Sequence, residues 1–175
     1  MARDEAVTFR MAEESDLPRI AEMLHVLAAY EHLEDRLTIT EETLRDWIFR
    51  RHVLRAILEE KDGALIGMAT YYETYSTFRG RTGLYLEDLI VRPGLRGHGY
   101  GKALLRRFLQ CAREQGCYQA SWNCLSWNVP ARQFYESLGA ERECEWLTYH
   151  IGAEKIESTL QKKKAQDEAA EKIIE

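Results

Sequence analysis

Apolar residues recur along this chain at two different periods, and the switches between them lay out its elements. Leu17, Ile20, Leu24 and Leu27 recur every three to four residues. They predict a helix over "SDLPRIAEMLHVLAAYEHL", with Ser15 as its cap. "TEETLRDWIF" predicts a second, shorter helix capped by Thr40, with Leu44, Trp47 and Ile48 turned inward. "AVTF" at 6–9 reads as a first strand. The runs "HVLRAILEE" and "ALIGMATYYETY" read as two more, joined by "KDG", a hairpin signal. "STFRGRTG" at 76–83 reads as a loop, and "LYLEDLIV" as a buried strand that carries two carboxylates.

A second amphipathic helix pattern spans 101–115, with Leu104, Leu105, Phe108, Leu109 and Ala112 as its stripe and Gly116 as its stop. "CYQASWNCL" reads as a strand. "NVPARQFYESLG" reads as a short helix with Asn128 as cap, Pro130 in its first turn and Gly139 past its end. "CEWLTYHI" reads as the last strand. The order is β, two helices, three strands, helix, strand, helix, strand, which defines a mixed α/β domain. Residues 153–175 are rich in Ala, Glu and Lys, and include Lys162, Lys163 and Lys164. They read as a solvated terminal helix or frayed tail outside the domain, which is expected over 1–152.

Composition narrows the function classes. The 175 residues fit one domain with a real core, and the net charge of −5 argues against nucleic acid as a partner, because phosphate binding needs a basic face. Cys111, Cys117, Cys124 and Cys144 have no CxxC spacing, and no histidine pair has zinc-ligand spacing. The expectation is reduced thiols and no metal site. The N-terminus "MARDEAVTFR" lacks an apolar signal region and no run is long enough to span a membrane, so a cytoplasmic protein is expected.

The chemistry concentrates in "RPGLRGHGYGKALL" at 92–105. Gly97, Gly99 and Gly101 alternate between a buried strand and a helix, flanked by Arg96 and Lys102. Such a loop is an anion site: unpaired backbone N–H groups and the helix dipole face outward, and glycine lets a phosphate approach the main chain. Gly101-Lys102 is followed by Ala103, so the hydroxyl that a nucleoside triphosphate site offers magnesium is missing. The dinucleotide pattern GxGxxG also fails, because Lys102 stands at its third glycine. What remains is Arg96-x-x-Gly99-x-Gly101.

This motif resembles the pyrophosphate loop of the GNAT N-acetyltransferases, which bind acetyl-CoA. "LYLEDLIV", "LRGHGYGKALL", "WN" and "FYESLGA" follow in that family's order. "AAYEHLED" and "YYETYSTFRGRTGLYLED" extend the likeness to the diamine, or spermidine/spermine, acetyltransferase branch. The resemblance implies the GNAT fold, a mixed and mostly antiparallel central sheet flanked by helices. It implies that Leu89, Ile90 and Val91 pair with the pantetheine amides. It also places Arg96, Gly97, His98, Gly99, Tyr100, Gly101 and Lys102 with Asn128, Pro130 and Tyr135 around the CoA. From the residues alone, His98 is an exposed loop residue rather than a catalyst, and Asn128 works equally as a helix cap.

Acetyl transfer to an amine requires an ammonium to lose a proton, a thioester carbonyl to be polarised and a thiolate to leave. Glu87, at the end of a buried strand, is the candidate to take the proton, directly or through water, or else only to attract the cation. Asp88 in a regular strand would point to the opposite face. The resemblance implies a bulge here that re-aims both side chains and offers a main-chain N–H near Leu89 to the acetyl oxygen. Tyr135 borders the stripe of Ala131, Phe134 and Leu138; from the residues alone it is a core tyrosine whose hydroxyl finds a local partner, and the resemblance makes it the acid that protonates the thiolate.

Tyr30, Glu31, Glu87 and Asp88 match the acidic and aromatic lining for a cationic amine. Ser76 and Thr77 stand where the polyamine pattern has a carboxylate, and with Leu125 they resemble the thialysine-acetylating members. Read alone, Ser76 and Thr77 are also ordinary loop residues. The expected activity is acetyl-CoA-dependent transfer to a small amine, thialysine or lysine-like ahead of a polyamine. Alternatives are a protein lysine or N-terminal acetyltransferase and a non-catalytic acyl-CoA-binding module. The branch implies a homodimer that exchanges elements near the final strands.

Overall fold

The computed structural model describes residues 7–161. The chain divides into two compact units, one ending at Leu125 and the other beginning at Ser126. The first unit holds a five-stranded sheet in sequence order: β1 (Thr8–Met11), β2 (Arg55–Lys61), β3 (Ala64–Ser76), β4 (Arg81–Val91) and β5 (Ala120–Trp122). The first three pairings are antiparallel, and β4–β5 is parallel. The expected mixed, mostly antiparallel sheet flanked by helices is therefore present.

The β2–β3 hairpin closes on Asp62 and Gly63, both at positive φ, the geometry whose twist matches the flanking strands. The expected loop at 76–83 shrinks to four residues because β3 and β4 continue pairing out to Ser76 and Arg81. One face of the sheet packs Leu58, Met68 and Ile90 against Leu17, Ile20 and Met23 of α1 (Leu17–Glu31) and against Leu44 and Ile48. The other face meets α3 (Tyr100–Glu114), where Phe108 lies edge-on to Tyr71 at 5.5 Å between ring centroids.

Several local expectations shift. Ser15 does not cap α1; a 3-10 turn at Glu14–Asp16 leads in, and Asp16 is the capping position. Thr40 does cap α2 (Glu41–Arg45), accepting a hydrogen bond from the Thr43 N–H. The next five residues, Asp46–Arg50, form a π-helical turn. Its wider turn rotates Trp47 off the inner face to 44% exposure, under the Arg51 guanidinium, while Leu44 and Ile48 stay buried. Leu109 is exposed on α3, at the margin of the buried stripe. The strand expected at 117–125 is ladder-paired only over β5.

The second unit contains α4 (Val129–Ser137) and a helix, α5, at 153–161. Asn128 caps α4 through its Oδ1, which accepts from the Ala131 N–H at 3.3 Å, and Gly139 ends it at positive φ. Within the expected stripe, Ala131 and Phe134 are half-buried and Leu138 is exposed. The strand expected at 144–151 is absent. Trp146, Leu147 and Tyr149 stand 78%, 77% and 87% exposed, and no described strand pairs with them. Alternating apolar residues mark a segment that can bury a face; a strand also needs a ladder partner. Lys162, Lys163 and Lys164 lie outside the described residues.

Candidate active site

The site is built on an irregularity in β4. Thr70 of β3 faces Asp88, but the next residue, Tyr71, faces Leu86. Glu87 is the extra residue, so the expected bulge falls on the carboxylate pair. Regular alternation would have sent Glu87 and Asp88 to opposite faces. Here Glu87 is exposed at the bulge, and Asp88 is half-buried on the α1 side of the sheet.

The charges of Glu31 and Glu87 both bear on Asp88 at this point. Glu31 is the last residue of α1, and burial raises its pKa. Asp88 is pushed up to about 6, first by burial and then by the negative charges of Glu87 and Glu31. A hydrogen bond from the Thr70 hydroxyl opposes this rise. Tyr72 and Tyr85 form a stacked cross-strand pair at 5.1 Å, and the Glu87 charge raises both phenols' pKa on top of burial. The arrangement is an acidic, aromatic-walled patch suited to an alkylammonium.

The sheet opens beside this patch. β5 pairs with β4 only from Leu84 to Leu86, so from the bulge onward the outer edge of β4 has no described strand on it. Leu89, Ile90 and Val91 lie along that open edge. β4 then runs through a short 3-10 turn, Pro93–Leu95, into the glycine loop. Arg92 anchors the turn, donating to the Leu65 carbonyl at 2.7 Å and to Glu22 at 2.8 Å.

Gly97 and Gly99 sit at φ +81° and +89°, so this turn requires glycine. Gly101 is different: it lies in the first turn of α3, and a Cβ there would meet only Val91 Cγ2, at 3.7 Å. Nothing among the described residues demands its bareness, which leaves an approach from outside. No side chain caps the α3 N-terminus and no acidic residue stands in its first turn, so its dipole is unopposed there. Arg96 stacks over Tyr30 at 4.2 Å and donates to the Val91 carbonyl at 3.0 Å. His98 is exposed and its Nδ1 lies 3.0 Å from the Arg96 carbonyl. Tyr100 is half-buried and Lys102 exposed.

Not all expected site residues converge within this unit. Ser76 ends β3, and its Oγ accepts from the Arg79 N–H at 3.2 Å. Its partner Arg81 lies six residues along β4 from Glu87, about 20 Å at some 3.3 Å per residue. Ser76 and the exposed Thr77 are therefore remote from the carboxylates in the same chain. Leu125 is half-buried at the end of the first unit. In the second unit, Asn128 and Pro130 open α4, and Tyr135 lies on it with its ring 5.2 Å from that of Phe134.

Thr70, Tyr72 and Tyr85 were not among the expected site residues. Thr70 carries a sequence signal, a lone hydroxyl in the apolar run "LIGMAT", and the two tyrosines become neighbours only once the register is known. All four cysteines are free, with Cys111 buried and Cys144 exposed. Among the described residues no cluster of metal-binding side chains occurs, and no helix is long and apolar enough to cross a membrane.

Residues 19–140 match the family model described as "Acetyltransferase (GNAT) family". The chain is 35% identical over 153 residues to thialysine N-epsilon-acetyltransferase of Bos taurus, covering 82% of this chain and 89% of that protein. It is 23% identical to L-ornithine N5-acetyltransferase of Arabidopsis thaliana, covering 85% and 86%. An integron cassette protein of V. cholerae has the same fold, at a TM-score of 0.75 and 22% identity, over 88% of this chain and 97% of that one.

Proposed function

Because the chain belongs to the acetyltransferase (GNAT) family, we propose that it moves an acetyl group from acetyl-CoA to a primary amine of a small cationic substrate, by direct attack of the amine on the thioester. One observation carries this reading. The bulge at Glu87 places two carboxylates next to an open strand edge that leads directly into an uncapped, glycine-lined helix N-terminus. An ammonium-binding patch and an anion-binding turn thus share one strand.

The residues suit acetyl-CoA. The glycine turn and the α3 N-terminus would hold the pyrophosphate, with Arg96 and Lys102 adding charge. The open edge of Leu89–Val91 would hydrogen-bond the pantetheine amides as an added strand would. Bound there, the thioester supplies an activated carbonyl and a thiolate leaving group. Glu87 accepts the proton that the ammonium must shed, directly or through water, and Asp88 with Glu31 holds the cation. The main-chain N–H near Leu89 polarises the acetyl oxygen. The amine nitrogen bonds the acetyl carbon as the C–S bond breaks, and Tyr135 returns a proton to the departing sulfur. A phenol of pKa about 10 suits a thiol of about 8.5. The catalytic domain in this reading is 1–152; the family model's span of 19–140 supports that.

The substrate we favour is thialysine or a lysine-like amino acid, in keeping with the relatives' names. Ser76 and Thr77 lie too far along the sheet to touch an amine held at Glu87 of the same chain. A substrate-choosing role for them therefore needs a second copy, and the proposed assembly is a homodimer. The exposed, strand-patterned apolar segment at 144–151 supports an exchange of elements between copies.

The test is CoA release from acetyl-CoA with thialysine, lysine, ornithine, putrescine, spermidine and spermine at matched concentration. Turnover of thialysine well above the polyamines is expected. Preference for spermidine would overturn the substrate choice. CoA binding without turnover of any amine would overturn the small-amine reading in favour of a protein substrate or a binding module.

A further inference from the structure

Thr70 is fully buried, in a stretch of β3 that is otherwise apolar on the α1 side of the sheet. Its register partner is Asp88, and its hydroxyl donates to Asp88 Oδ2. The register breaks at the next residue, so this pair is the last regular step before the bulge. The geometry points to Thr70 as a positioning residue of the amine site, its hydroxyl aiming the Asp88 carboxylate and favouring the charged form that a cationic substrate needs. This rests on the amine-site reading above.

Among the described residues, Glu87, Glu31 and Thr70 bear on Asp88. Glu87 on its own strand and Glu31 on α1 both oppose a negative charge there, as does burial. The Thr70 hydrogen bond is the favourable influence among them. Tyr72 and Tyr85 stack beside Glu87 and bring no positive charge. The hydrogen bond from Thr70 therefore favours the ionised form of Asp88 against these opposing influences. A valine here would keep the shape and β-branching of threonine and lose the hydroxyl that donates to Asp88.

The test compares the full-length parent with Thr70→Val and Thr70→Ser. Asp88 is followed by carbon-detected NMR of labelled aspartate carboxyls, with Asp88→Asn for assignment. Amine KM and kcat are measured from pH 5.5 to 8.5. In Thr70→Val the Asp88 midpoint is expected to rise by about one pH unit, the size of a lost charge-assisted hydrogen bond. Amine KM is expected to rise about fivefold near pH 6 and under twofold at pH 8.5, with kcat little changed. Thr70→Ser restores both. An Asp88 midpoint identical in parent and Thr70→Val, or a serine variant as impaired as the valine one, would overturn the proposal. The NMR titration does not depend on turnover. A shifted midpoint in a protein inactive toward every amine would uphold the Thr70–Asp88 linkage while removing the amine-site reading.

Discussion

Glu59, in the middle of β2, has 0% exposure, and neither carboxylate oxygen has a hydrogen-bond partner among the described residues. Its side chain lies over its cross-strand partner Gly67, where a Cβ would collide with Oε2. Burial alone raises its pKa from 4.5 to about 7. The folded protein therefore keeps a proton that the unfolded chain gives up above about pH 4.5. Stability contributed by this group is whole below that pH, is lost as pH rises through about 7, and changes little above. Between pH 5 and pH 8 the loss comes to roughly 2 to 3 kcal/mol, at 1.36 kcal/mol per pH unit of displacement.

Glu59→Gln keeps the shape and removes the charge. Relative to the parent it should gain that 2 to 3 kcal/mol on going from pH 5 to pH 8. For a chain of this size the gain corresponds to an additional Tm difference of about 5 to 10 °C. The measurement is thermal and urea unfolding followed by circular dichroism, at pH 5, 6, 7 and 8. Asp88 and Glu31 also have raised pKa values, but parent and variant share them, so the difference between the two curves isolates Glu59. Parallel pH curves for the two proteins would refute the reasoning, because they would mean that Glu59 is not held neutral by the fold.

Other expectations are as direct. Asp16 is buried, bonded to Arg10 at 2.8 Å and to Arg19 at 3.1 Å, with its pKa held down to about 2, chiefly by Arg10. Its contribution is present above about pH 3.8 and is lost as pH falls through 2. Asp16→Asn should thus cost roughly 2 kcal/mol in urea unfolding at pH 7 and much less near pH 2. Gly67→Ala should destabilise by about 1 to 3 kcal/mol through overpacking, and by less when Glu59 is also Ala, as a double-mutant cycle would read. Gly99→Ala, forced to φ +89°, should cost about 1 to 3 kcal/mol and raise KM for acetyl-CoA more than KM for the amine. Tyr135→Phe should keep CoA binding and lower turnover about 100-fold; an unchanged rate would remove it as the acid.

What could be read in the sequence was whatever a local period or a local conformational demand dictates. Leu104, Leu105 and Phe108 are buried where helical spacing puts them, and Gly97 and Gly99 take the positive φ that their loop suggested. Thr40 and Asn128 cap the helices they precede. The structure departs from that pattern where the period itself changes. The π-turn at Asp46–Arg50 moved Trp47 outward, a shift that no count of threes and fours contains. The amine patch was half legible. Glu87 and Asp88 announce themselves as charges in a buried strand, but their placement depends on a bulge set by the register against Thr70 and Tyr71. Thr70, Tyr72 and Tyr85 were hidden for the same reason, since a strand's partners across the ladder are distant in sequence. The segment at 144–151 carries the same lesson further. Its alternation is that of a strand, yet no described strand pairs with it and Trp146, Leu147 and Tyr149 are exposed. A pattern encodes a face to be buried, while the surface that buries it can belong to another molecule.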